Sequence, residues 1–265
     1  MRSRLVSLVS ALVAVLLLSP ATLAQAPIGQ RKFDPRDLSG FWLRNTVRPK
    51  EHPPLTPAGA AAMQGRIPDF QARVPSDSND PMYKCNPQGF PRLVWEENEP
   101  IEIIMLPDRV LQLFQWERTL RELWLDGREL PSGENLENLG PAWYGHSVGR
   151  WEGDTLVVNT TGVDERAWLD EYGNPKSFDA RYEERYRRTD ADAIEGQLTI
   201  YDPKNFTAPW THPKSTFKRM APKDVTFFGW KGLFSGVTDA ICAPLNEIDE
   251  FNKRIRDPAI FGVTK

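Results

Sequence analysis

Glu184 has the setting in this sequence that most invites chemistry. Along Asp179 to Arg188, Ala180, Tyr182, Glu184 and Tyr186 fall on one side of an extended chain, and Arg181, Glu183, Arg185 and Arg187 on the other. The charged side belongs in water, so the opposite side faces inward and carries a carboxylate between two phenols. A buried carboxylate costs on the order of several kcal/mol unless it is paired or protonated. Two outcomes stay open. With a raised pKa, Glu184 would serve as general acid or base, with Tyr182 or Tyr186 orienting a substrate and His146 assisting. Otherwise Glu184 belongs to a structural ion pair or a tyrosine–carboxylate bond.

Ser147 offers a second chemistry. Gly145-His146-Ser147-Val148-Gly149 fits G-x-S-x-G, the turn that presents a nucleophilic serine between a strand and a helix. Here the serine is followed by Arg150-Trp151-Glu152-Gly153-Asp154 and then the β-branched run Thr155 to Thr161, which reads as a strand. The stretch is therefore expected to be a β-hairpin turning at Glu152-Gly153-Asp154. A serine hydrolase, with Ser147, Asp170 or Asp202, and His212 in chain order, is the minor alternative. His146 shares a face with Tyr144, Val148 and Arg150. If that face is inward, Tyr144 and His146 join Glu184. If Gly145, Ser147, Gly149 and Trp151 face inward, they do not.

Metal and cofactor chemistry find little support. His52, His146 and His212 are far apart, without short-range ligand spacing, and zinc and iron motifs are absent. A composite site of His146, His212 and Glu184 is the one arrangement that would need a sheet to assemble it. No phosphate-binding or dinucleotide-binding loop occurs. Neither a metal nor a cofactor is expected. Aromatic contacts to a ligand are expected from Phe114, Trp116, Tyr144 and Trp168. Trp168 would act as a lid in the segment Gly162-Val163-Asp164-Glu165-Arg166-Ala167-Trp168-Leu169-Asp170, for which the plainer account is an N-capped turn with solvated acids.

The elements that would position these groups are short strands. Within a proline-rich segment (27–92), Leu38 to Trp42 reads as a first strand and Thr56 to Gln64 as a short helix. From Pro100 onward come Ile101 to Leu106, Arg109 to Glu117, Thr119 to Leu125, Tyr144 to Trp151, Asp154 to Thr161, Asp179 to Arg188, Ile194 to Tyr201 and Ser215 to Met220, separated by turn residues. The pattern predicts a mainly β fold: an up-and-down antiparallel barrel of eight or nine strands. Leu245, Ile248, Phe251 and Ile255 mark a C-terminal helix over 245–256, packed on the barrel or plugging one end.

Residues 1–26 read as a secretory leader: Arg2 and Arg4, an apolar run from Leu5 to Leu18, and Ala24-Gln25-Ala26 at the cleavage site. The mature chain (27–265) is then a single exported domain, periplasmic or secreted, without a membrane span. Loss of Arg2 and Arg4 takes the formal charge from −3 to −5, which argues against nucleic acid as a partner. Cys85 and Cys242 can pair in an oxidising compartment or stay as buried thiols. A bridge closing so long a loop would contribute about 4–5 kcal/mol.

Two resemblances add to this. Gly40-Phe41-Trp42 resembles the G-x-W signature of lipocalins, whose tryptophan packs under an arginine from the last strands. Here Arg219 or Arg185 would serve. The blocks SNDPMYKCNPQGFPR, YGHSVGRWEGDTLVVNTTG, WLDEYGNPKSFDARYEERYRR and YDPKNFTAPW are similar to a family of exported, largely uncharacterised proteins of environmental bacteria. Such relatives often carry histidines in the segment that here reads Gly173-Asn174-Pro175-Lys176-Ser177, where Asn174 and Lys176 stand. The resulting expectation is a lipocalin-like barrel binding a small apolar or aromatic molecule in its lumen. The alternative is a cofactor-free lyase, isomerase or decarboxylase acting there on a phenolic or lipid-like substrate.

Overall fold

Alternation along the chain becomes a barrel in the computed structural model, which describes residues 32–45, 49, 51–72, 77–96, 99–221, 225 and 242. The expected leader (1–26) and the expected C-terminal helix (245–256) lie outside the described residues. The strands are β1 (Gly40–Arg44), β2 (Ile101–Met105), β3 (Arg109–Phe114), β4 (Leu120–Trp124), β5 (His146–Glu152), β6 (Thr155–Thr161), β7 (Arg181–Asp190), β8 (Ala193–Tyr201), β9 (Trp210–Thr211) and β10 (Ser215–Met220). Each of β1 to β8 pairs with the next, and β10 pairs with both β1 and β8, closing a ring of nine strands. The two-residue β9 adds to the far end of β8.

The expected barrel is present, with one departure from antiparallel order. β4 and β5 run parallel and meet at a single register pair, Trp124 with Val148. Parallel neighbours need a long crossover instead of a tight turn. The chain from Leu125 to Gly145 supplies it, with α3 (Gly133–Leu139) midway and Leu136 buried beneath. That helix lies between the predicted strands Thr119 to Leu125 and Tyr144 to Trp151, where only turn residues are expected.

The proline-rich segment contributes more than a strap. α1 (Pro57–Met63) forms where expected, with Pro57 in its first turn and the Thr56 side chain accepting from Gly59 N–H. Further on, a 3₁₀ turn (Pro81–Lys84) leads into the one-turn α2 (Arg92–Trp95). Phe90, Leu93, Val94 and Trp95 are buried there within the same core as Ile103, Leu123, Val158, Leu198 and Phe217 from the strands. The Arg92–Asp80 ion pair, 2.6 Å and buried, braces this turn.

Gly40 is required by what approaches it. Its φ is +130°, and a Cβ there would stand 2.5 Å from Nη1 of Arg219. Trp42 and Arg219 are cross-strand partners, and the Arg219 guanidinium lies 4.5 Å from the centre of the buried Trp42 ring. Of the two arginines considered for that contact, Arg219 makes it. Arg185 instead pairs with Glu152 on the surface.

Cys85 and Cys242 are bridged, their Cα atoms 5.6 Å apart. This is compatible with an extracellular or periplasmic protein. No helix among the described residues is long and apolar enough to cross a membrane.

Candidate functional site

Glu184 faces the lumen, fully buried, as the strand alternation predicts. Its carboxylate is closely bound. Oε1 accepts from Tyr186 O–H at 2.6 Å, Trp95 Nε1–H at 3.1 Å and Arg121 Nη1–H at 3.1 Å, and Oε2 from Arg121 Nη2–H at 2.6 Å. Four donors fill nearly all the positions a carboxylate offers. Arg121 also donates to Gln112, Ser147 and Thr160, and its guanidinium lies 4.1 Å from the centre of the Phe90 ring. Burial, reinforced by the Glu184 charge, pushes the Tyr186 phenol well above its ordinary range, and burial does the same to Tyr182. Both phenols therefore keep their protons. This is the structural ion pair with a tyrosine–carboxylate bond that the sequence left open. Trp95 stacks on Tyr186 and meets Phe217 and His212, so α2 occupies the space between these walls.

β5 turns its other face inward. Ser147 is buried, its Oγ 2.9 Å from Thr160 Oγ1, whereas His146 is only half-buried. Tyr144 and His146 accordingly do not join Glu184. Nor do the groups of a serine relay assemble. Ser147 lies on a strand, His212 Nδ1 bonds Pro213 O, Asp202 holds Ser177, and Asp170 holds Asn174. The composite metal site fails likewise: no cluster of three metal-ligating side chains occurs among the described residues.

Tyr144 and His146 meet elsewhere. Where β4 and β5 diverge from the Trp124–Val148 contact, the barrel wall holds a pocket of about 440 Å³. Trp124, Trp143, Tyr144 and His146 line it, with Arg121 and Ser147 reaching it from the lumen network. Leu120 and Leu139, 52% and 57% exposed, also line it, and they are the most exposed large apolar side chains among the described residues. Tyr144 O–H pairs with Thr119 Oγ1 at 3.2 Å, and burial pushes its pKa up to about 12. The other predicted aromatic contacts lie apart from this pocket. Phe114 is in the core, Trp116 packs against it, and Trp168 is buried with Arg66 5.5 Å from its ring centre.

A second polar cluster escaped the sequence reading. Asp164 and Asp170, expected as solvated acids, are both buried. Asp170 accepts from Asn174 Nδ2–H at 2.5 Å and from the Tyr172 and Asn174 backbone N–H groups. Burial raises its pKa, and burial followed by the Asp170 charge raises that of Glu96 well above the carboxylate range. Lys176, 4% exposed, donates to Phe90 O at 2.7 Å, and burial pulls its amine down to about 7. Gly89 makes room for it: a Cβ there would lie 3.1 Å from Nζ. The signal available in the sequence was the Asn174 and Lys176 pair itself, polar residues where the resemblance led one to expect histidines.

Comparison with protein-family models, characterised proteins and solved structures finds no match to this chain.

Proposed function

We propose that this protein is an exported, lipocalin-like barrel that binds a small, largely aromatic molecule in the wall pocket between β4 and β5. One observation carries the reading: the two most exposed large apolar side chains among the described residues, Leu120 and Leu139, flank a pocket lined by Trp124, Trp143 and Tyr144. Its volume suits a small ligand, since such sites span roughly 300–1,000 Å³. The leader-like N-terminus and the Cys85–Cys242 bridge support export. The lumen is the less suitable site, because Trp95 and Phe90 occupy it. The enzyme alternative loses its proton carrier, because Glu184 is engaged by four donors.

The test uses the mature, oxidised protein. Aromatic compounds are titrated in while tryptophan fluorescence is followed, and the mixture is weighed by mass spectrometry. Saturable quenching at unchanged ligand mass, weakened at least about tenfold in Leu139→Asp by loss of apolar contact, is the expected result. Saturable binding indifferent to Leu139→Asp and to Leu120→Asp would move the site away from the pocket. Conversion of a compound to a new mass would make the protein an enzyme.

A further inference from the structure

The wall pocket contains one imidazole, and its surroundings decide where its proton sits. His146 Nε2 lies 3.1 Å from the carbonyl oxygen of Gly140. A carbonyl only accepts, so Nε2 must carry the proton. The same edge of the ring faces Gly162, where a Cβ would stand 2.9 Å from Cδ2. Nδ1 lies on the opposite side of the ring, makes no hydrogen bond, and in the neutral ring presents a lone pair.

The remaining polar groups narrow the choice. The charged residues of the pocket are already paired: Arg121 with Glu184, Glu122 with Arg109 at 3.2 Å, and Arg128 with Asp126 at 2.7 Å. Arg109 is shared, since Asp108 also contacts it at 2.9 Å. Tyr144 is engaged with Thr119. The pocket therefore combines aromatic walls and partnered charges with a free acceptor on His146.

Building on the binding reading above, we propose that the ligand is a neutral phenol whose O–H donates to His146 Nδ1 while its ring lies among Trp124, Trp143 and Tyr144. A donor-bearing ring satisfies the free acceptor. An ether or hydrocarbon of the same shape leaves it without a partner once water is displaced.

The experiment compares 4-methylphenol with 4-methylanisole, two probes of nearly equal shape that differ in the O–H, by calorimetry or tryptophan quenching. Wild type should prefer the phenol about five- to tenfold, the effect of one hydrogen bond. His146→Phe should bring the ratio close to about one, and Tyr144→Phe should preserve it. A ratio is used because a general loosening of the pocket affects both probes. Equal affinities in wild type would overturn the phenol assignment and leave the binding reading intact. A preference that survives His146→Phe would overturn the role of His146. Absence of binding by either probe, or by other aromatics of this size, would overturn the binding reading itself and this inference with it. If His146→Phe does not fold, the wild-type ratio still decides.

Discussion

Lys176 should make the stability of this protein rise with pH above neutrality. Its amine is buried, has one hydrogen bond, and titrates at about 7 in the folded chain against an ordinary 10.5. Between those values the unfolded chain holds a proton that the folded chain has released. Unfolding then takes up a proton, and stability grows with pH. One proton corresponds to about 1.4 kcal/mol per pH unit at full slope. Because the folded amine is half-titrated near pH 7, the gain from pH 7 to 9 is about 2 kcal/mol, and the whole window amounts to about 5 kcal/mol. Lys176→Met removes the titration and leaves the Phe90 carbonyl without its donor, a cost of about 1–3 kcal/mol. The variant should exceed wild type in stability at pH 7 by about 1–3 kcal/mol, and lose about 2 kcal/mol of that lead by pH 9. Urea denaturation at several pH values measures this. The difference between the two proteins is the quantity to follow, because Glu96 and Asp170 titrate in both. A difference that stays constant over that range would refute the reasoning.

Three further outcomes are expected. Glu184→Gln leaves the Arg121 guanidinium buried without its counter-charge, so the denaturation midpoint should fall by the equivalent of about 3–5 kcal/mol; an unchanged midpoint would mean the pair contributes nothing. Reduction of Cys85–Cys242 should lower the melting temperature, since the closed loop is worth about 4–5 kcal/mol in the chain-entropy picture, and coincident melts with and without reductant would remove the bridge from the stability argument. Gly40→Ala puts a Cβ against Arg219 at a positive φ and should cost about 1–3 kcal/mol in denaturant titration; Gly65→Ala, also at positive φ but with open space around it, should cost less.

Strand alternation was legible wherever one face is charged. Tyr182, Glu184 and Tyr186 could be placed inside because Arg181, Glu183, Arg185 and Arg187 had to be outside. β5 could not be oriented that way. Its inward Ser147, Gly149 and Trp151 are no more apolar as a set than its outward His146, Val148 and Arg150. The direction is set by Arg121, 26 residues earlier in the chain, which binds Ser147 from the neighbouring strand β4 inside the lumen. α2 was hidden for another reason: four residues flanked by proline give no periodicity, and their role emerges only when the barrel closes around Trp95. The burial of Asp170 depends on Asn174 and nearby backbone donors, contacts that composition does not reveal. The pocket was half visible, since Tyr144 and His146 were singled out, but for the lumen and not for the wall.

The seam between β4 and β5 has a cause that lies in counting. Directions can alternate all the way round a closed ring only if the number of strands is even. This ring has nine, so at least one pair of neighbours must run the same way, and that pair is β4 and β5. The long crossover follows from that same-direction pair, and the wall opens where its two strands diverge. A relative with one strand more or fewer could close its ring with antiparallel pairs alone and would then lose the geometric reason for this pocket, whatever residues it kept at positions 144 and 146.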